Sequence, residues 1–206
     1  MRRLLLAVAA AGLVLSLMPP AAEATPPLVT DPKGDALPIG AGFDIVSANL
    51  YTTGTTKKIG KKNVYTPKYL WATQTMAGPP STLRGTTMTF HADISACGNG
   101  SIDWEYHPGN VILNDSSVLV VGCGTTTAGV TEESVAAEFQ VVGNTLMWKL
   151  RLSDIGNKDL PLGTTFSGFY VSSDVNDPVT NIFGTSLLSP DSDIDYAKSS
   201  ASYTLR

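Results

Sequence analysis

Apolar and polar residues alternate with period two along most of this chain, and clusters of turn residues separate the runs. From Thr86 to Ile94 the set Met88, Phe90, Ala92 and Ile94 opposes Thr87, Thr89, His91 and Asp93. Ile102, Trp104 and Tyr106 likewise oppose Asp103, Glu105 and His107, and a third run, Val118 to Val121, ends next to Cys123. Cys97-Gly98-Asn99-Gly100 between the first two runs is turn-forming. Three such strands in an antiparallel meander go up, down and up, so Cys97 and Cys123 fall at one end of the sheet, where a disulfide can close.

A second pattern fixes a hairpin. Val135, Ala137, Phe139 and Val141 alternate with Ala136, Glu138 and Gln140. Beyond Gly143-Asn144, Leu146, Trp148, Leu150 and Leu152 alternate with Met147, Lys149 and Arg151. A tight two-residue turn puts Phe139 opposite Trp148 and Glu138 opposite Lys149, apolar pairs on one face and opposite charges on the other. A slip of one residue would ruin both sets.

Further strands are expected at residues 43–52, 69–76, 164–172 and 200–205. Residues 53–63, with Lys57, Lys58, Lys61 and Lys62, read as a polar hairpin loop, and Ser153-Asp154-Ile155-Gly156 as one helical turn. There is no internal repeat and no domain linker. Short strands at this spacing predict an all-β fold, a single antiparallel β-sandwich of about nine strands.

The sandwich is expected over residues 25–206, because residues 1–24 have the form of a cleaved signal peptide. Arg2 and Arg3 start it, residues 4–18 are almost wholly apolar, Pro19 and Pro20 break the run, and Ala22-Glu23-Ala24 offers a small-x-small cleavage site. The run falls short of the roughly 20 residues a membrane-spanning helix needs, and no later segment reaches that length. The expected location is therefore secreted, an oxidising setting in which a lone pair of cysteines forms a disulfide.

Composition narrows the function classes. At 43% hydrophobic and 16% charged residues, the 206-residue chain is neither disordered nor a coiled coil. A net charge of −4 argues against a general nucleic-acid binder, which carries a basic excess.

The candidate chemistry is acidic. Asp31-Pro32-Lys33-Gly34-Asp35 opens the mature chain, Asp44-Ile45 follows, and Asp191-Ser192-Asp193-Ile194-Asp195 lies near the other end. Calcium takes six to eight oxygens, so clustered carboxylates in loops suit it. The last group is no EF-hand, since Tyr196 and Ser202 stand where that loop needs Gly and Glu. The same residue types also make ordinary β-turns.

Asp31-Pro-x-Gly-Asp35 leading into Asp44-Ile45 resembles calcium-binding β-sandwich domains of secreted actinobacterial proteins, akin to the carboxy-terminal domain of glucodextranase, family-nine carbohydrate-binding modules and DOMON domains. Gly143-Asn144-Thr145-Leu146-x-Trp148, Leu152-Ser-Asp-Ile-Gly156 and Pro161-x-Gly163-Thr164-x-Phe166 are similar to stretches of the same group. The resemblance spans most of residues 29–206; the lysine segment and the disulfide region depart from it. It implies a structural calcium held by Asp31, Asp35, Asp44 and one of Asp193 or Asp195. It does not by itself transfer sugar binding.

Other candidates are fewer. Tyr69 and Trp71 share a strand face and form a possible ligand platform for a polysaccharide or cell-wall component, or else core. His91, Asp93, Asp103, Glu105 and His107 share another face, as a zinc set or a solvated surface would. The lysine patch suits anionic polymers or a plain solvated loop. Catalysis has little support: G-x-S-x-G, S-x-x-K and H-E-x-x-H are all missing. The expected function is thus a secreted, non-enzymatic β-sandwich with a structural calcium site, serving as a binding module. The alternatives are a carbohydrate-binding module at a cell wall or polysaccharide, and a secreted hydrolase with an unmarked carboxylate site.

Overall fold

The computed structural model describes residues 26–36, 40–98, 100–109, 115–123, 132–157, 160–175 and 192–206. The expected signal peptide lies outside the described residues.

Among these residues the strands are β1 Val29–Thr30, β2 Ile45–Ile59, β3 Lys62–Met76, β4 Thr86–Ile94, β5 Gly100–Tyr106 and β6 Ser116–Val121, then β7 Glu132–Ser134, β8 Ala137–Val142, β9 Thr145–Arg151, β10 Thr165–Val175, β11 Ser192–Lys198 and β12 Tyr203–Thr204. They form two antiparallel sheets packed face to face. Sheet one runs β1-β2-β3-β9-β8; sheet two runs β11-β10-β4-β5-β6-β7, with β12 also pairing β10. The all-β sandwich is as expected, with more strands than the nine read from pattern: β1 and β7 are only two and three residues long, β11 does not show in the pattern, and the strand expected at residues 200–205 shrinks to β12.

Alternation places the core between the sheets. Leu50, Leu70, Ala72, Leu146, Trp148 and Leu150 face inward from sheet one, and Met88, Phe90, Ile102, Trp104, Phe166 and Val171 meet them from sheet two. Trp148 is fully buried, and its indole N–H donates across the core to the Glu105 carbonyl at 3.2 Å. The hairpin register is the one read from pattern: Phe139 opposes Trp148, and Glu138 opposes Lys149.

The β4-β5-β6 meander also forms, and Cys97 and Cys123 are bonded at its end with Cα atoms 4.7 Å apart. Closing 26 residues of chain contributes about 3 kcal/mol in the chain-entropy view. Ser153 to Gly156 lie in a 3-10 turn, Leu152–Asn157.

Three expectations change. Val135 is not part of β8: its N–H bonds the Val118 carbonyl, and the chain crosses between sheets here, from β7 to β8. Residues 53–63 are not a loop, since β2 and β3 pair, past a register shift between Thr53 and Gly54, out to Ile59 and Lys62. The last acidic group is not a loop either, because residues 192–198 form β11 beside β10.

Candidate metal centre

The site arises where the first and last parts of the fold meet. Val29 and Thr30 pair with Ala48 and Ser47 of β2, and the Asp31 N–H extends that ladder to the Val46 carbonyl at 3.0 Å. Asp31 thus leaves β1 beside the start of β2, and the following Pro32–Asp35 turn brings Asp35 back. Asp44 stands immediately before β2, where its carboxylate accepts the Gly34 N–H at 2.7 Å. Asp195 comes from the middle of β11, and its carboxylate accepts the Ile45 N–H at 2.5 Å. Backbone hydrogen bonds thereby tie two of the acids to one another's segments.

Asp31, Asp35 and Asp195 each offer an oxygen, and the three oxygens lie within 4.8 Å of one another. Two oxygens on one calcium at ordinary bond lengths are at most about 5 Å apart, so a single ion can reach all three. It is the only such group of three or more ligating residues among the described residues. Asp44 joins it electrostatically through its effect on Asp31. The sequence left Asp193 and Asp195 as alternatives, and the structure brings Asp195 to the cluster. Asp193 is placed in β11 opposite Asp174, and its side chain lies outside the described residues.

The electrostatics are unbalanced. Burial, followed by the Asp195, Asp35 and Asp44 carboxylates, pushes Asp31 up to about 7. Burial also raises Asp195, against the Ile45 N–H that favours its charged form. None of the ion pairs among the described residues involves these aspartates. Asp31 Oδ2 and Asp44 Oδ1 are buried with no hydrogen-bond partner, and Asp44 is only 5% exposed. Unpartnered buried oxygens of this kind are costly, and a cation is what would satisfy them. An all-oxygen set of hard anions, with no His or Cys, suits calcium rather than zinc or copper.

The other acidic face is arranged differently. His91 Nδ1 lies 2.6 Å from Asp103, its cross-strand partner, and its ring stacks on Tyr170 at 4.4 Å. Burial lowers the His91 imidazole, but Asp103 and Asp93 outweigh it and hold it above the ordinary value. His107 Nε2 donates to Glu105 at 2.9 Å, the same carboxylate that accepts the Ser117 hydroxyl, and Thr87 lies 3.1 Å from His107 Nδ1. Burial raises Glu105, but His107 and Ser117 bring it below the usual range. The two histidines therefore serve two separate networks and do not converge on one zinc ion.

Tyr69 and Trp71 do share the outer face of sheet one, with Lys149 over both rings, 4.5 Å and 5.5 Å from their centroids. Glu138 pins that ammonium at 2.9 Å. Sequence reading missed Tyr51, which opposes Trp71 in the register and stacks with it at 5.8 Å and 6°. Pairing residues 43–52 with residues 69–76 in register would have found it.

No protein-family model, curated protein or solved structure matches this chain.

Proposed function

We propose that this chain is a secreted, non-enzymatic β-sandwich with a structural calcium at the junction of β1, β2 and β11, serving as a binding module. Asp31, Asp35 and Asp195 supply carboxylate oxygens, and Asp44 braces the loop through Gly34. The observation that carries the reading is the convergence of Asp31, Asp35 and Asp195 oxygens within 4.8 Å of one another, with Asp31 Oδ2 buried and unpartnered and no ion pair to these aspartates among the described residues. Calcium fixes the chain's first strand to its last long one, so its role is to hold the sandwich closed. The resemblance of the Asp31-Pro-x-Gly-Asp35 motif to calcium-binding sandwich domains points the same way.

Metal analysis of the purified protein, with melting temperatures in calcium and in chelator, tests the reading. One calcium per chain is expected, with a melting temperature that chelator lowers in the wild type and leaves nearly unchanged in Asp35→Ala. A melting temperature indifferent to calcium up to about 10⁻³ M, the weak end of extracellular sites, would end it.

The near-parallel Tyr51–Trp71 pair favours a second reading, a glycan platform on the outer face of sheet one. Glycan-array binding that Trp71→Ala removes is its test.

A further inference from the structure

The β2–β3 ribbon outruns the sandwich. β9 pairs β3 from Tyr69 to Thr75, and β1 pairs β2 only at Ser47 and Ala48. Residues 54–67 are therefore paired only with each other among the described residues, from Gly54–Pro67 to Ile59–Lys62. Six residue pairs at about 3.3 Å each make an arm of about 20 Å. Gly60, at φ +62°, supplies the positive angle that the first position of the two-residue tip requires.

No residue of this arm belongs to the core, and its apolar side chains stay accessible. Ile59 at the tip is 64% exposed, Val64 41% and Tyr65 39%. Its charge is one-sided. The segment from Ile45 to Met76 holds five lysines and no acidic residue, while all eighteen Asp and Glu lie elsewhere, against nine Lys and Arg. Cross-strand pairing mixes the two characters. Lys57 opposes Val64 and Ile59 opposes Lys62 on one side, while Lys58 opposes Asn63 and Thr56 opposes Tyr65 on the other. At the arm's base, a cleft of about 570 Å³ lined by Val64, Tyr65, Lys68, Arg151, Leu160 and Leu162 repeats the combination of cations and apolar side chains.

We propose that the β2–β3 arm docks this protein on an anionic lipid bilayer. Ile59 enters the headgroup layer with Val64 and Tyr65 behind it, and Lys57, Lys58, Lys61 and Lys62 lie against lipid phosphates. Charge complementarity selects an anionic partner, and the apolar tip selects a bilayer over a soluble polyanion, which rewards the lysines alone. The arm's length solves the problem of the acidic body. At about 20 Å it exceeds two Debye lengths in physiological salt, so the body's negative charge is screened from the surface that the tip touches.

Vesicle co-sedimentation tests this, using phosphatidylcholine alone and phosphatidylcholine with about 30% phosphatidylglycerol. The full chain is expected to bind only the anionic vesicles, and less as salt rises. Lys58→Gln with Lys61→Gln should lower partitioning at least about tenfold, since each lysine at such a surface is worth roughly fivefold. Ile59→Ser should lower vesicle binding severalfold while leaving retention on heparin unchanged. All three positions are exposed, so an unchanged melting temperature will confirm that the variants fold. No binding to anionic vesicles at low salt, or wild-type binding by the lysine variant, overturns the proposal. An Ile59→Ser protein that binds vesicles and heparin as wild type does also overturns it, in favour of a soluble polyanion.

Discussion

Two acidic regions of this molecule hold similar numbers of carboxylates and differ in what surrounds them. On the outer face of sheet two, Asp103 and Glu105 each have a histidine within hydrogen-bond reach, and Ser117 adds a hydroxyl. At the β1–β2–β11 junction, Asp31, Asp35, Asp44 and Asp195 have backbone N–H donors and each other, and two of their oxygens are buried without a partner. The first region is complete as protein. The second leaves buried carboxylate oxygens that a cation would satisfy. Carboxylate number alone does not distinguish the two regions; convergence of three carboxylates together with a buried unpartnered oxygen does.

The two regions are expected to respond differently to calcium. The largest effect is expected at Asp195, which serves both the metal and the Ile45 N–H. In saturating calcium Asp195→Ala should cost about 3–4 kcal/mol in urea unfolding; in chelator the stranded Ile45 N–H and the lost Asp31–Asp195 hydrogen bond remain, about 1–3 kcal/mol. Asp103→Ala, which strips His91 of its main partner, should cost about 1.5–3 kcal/mol, the same with calcium or chelator. A calcium-dependent loss at Asp103 would erase the distinction between the regions.

A change of sign is expected at Asp31. Above about pH 7, where metal-free Asp31 has released its proton, Asp31→Asn removes a repelling charge, so there it should stabilise the metal-free protein and destabilise the calcium-loaded one. Loss of stability under both conditions would show that the cluster is not strained by its own charge.

The dependence on pH separates the regions by window. Without metal, Asp31 holds a proton in the fold up to about 7, whereas the unfolded chain releases it near 3.8. Metal-free stability should therefore fall as pH rises from about 4 to about 7, and calcium should flatten that slope. His91 is raised above 6.5, so its contribution is fully present below that value and fades as pH climbs past it, with or without calcium. Melting curves at closely spaced pH values, in calcium and in chelator, resolve the two. The smallest effect is set by an exposed pair: Glu138→Ala, on the outer face opposite Lys149, should cost less than about 1 kcal/mol.

Much of the fold was legible because burial on one face writes a period of two into the strand. The hairpin register at Phe139 and Trp148 follows from that together with the two-residue Gly143-Asn144 turn, and the meander that joins Cys97 to Cys123 from the alternation and the turns between its runs. Where the rule of one buried face fails, the pattern goes silent or misleads. The arm at residues 54–67 buries neither face, so its lysines and threonines read as loop. In β11 the inward positions are Asp195 and Ala197, while Tyr196 points outward and is 48% exposed. An aspartate on the core side inverts the usual alternation, and that inversion is itself a mark of the site. The opening aspartates were visible as a motif, but that Asp195 reaches them is visible only once β11 has a register. Val135 marks a third limit, because a residue that crosses between sheets obeys the face of neither strand.

Calorimetric calcium titration of chelator-treated protein asks whether a cation replaces the proton that the Asp31 cluster otherwise keeps. Run near pH 6.5 in two buffers of different ionisation enthalpy, it should give one site per chain with Kd no weaker than about 10⁻³ M. The apparent heat should differ between buffers by the proton that calcium expels, and Asp31→Asn should abolish that difference. Heats at the level of dilution in both buffers, with an unchanged melting temperature, would contradict the account.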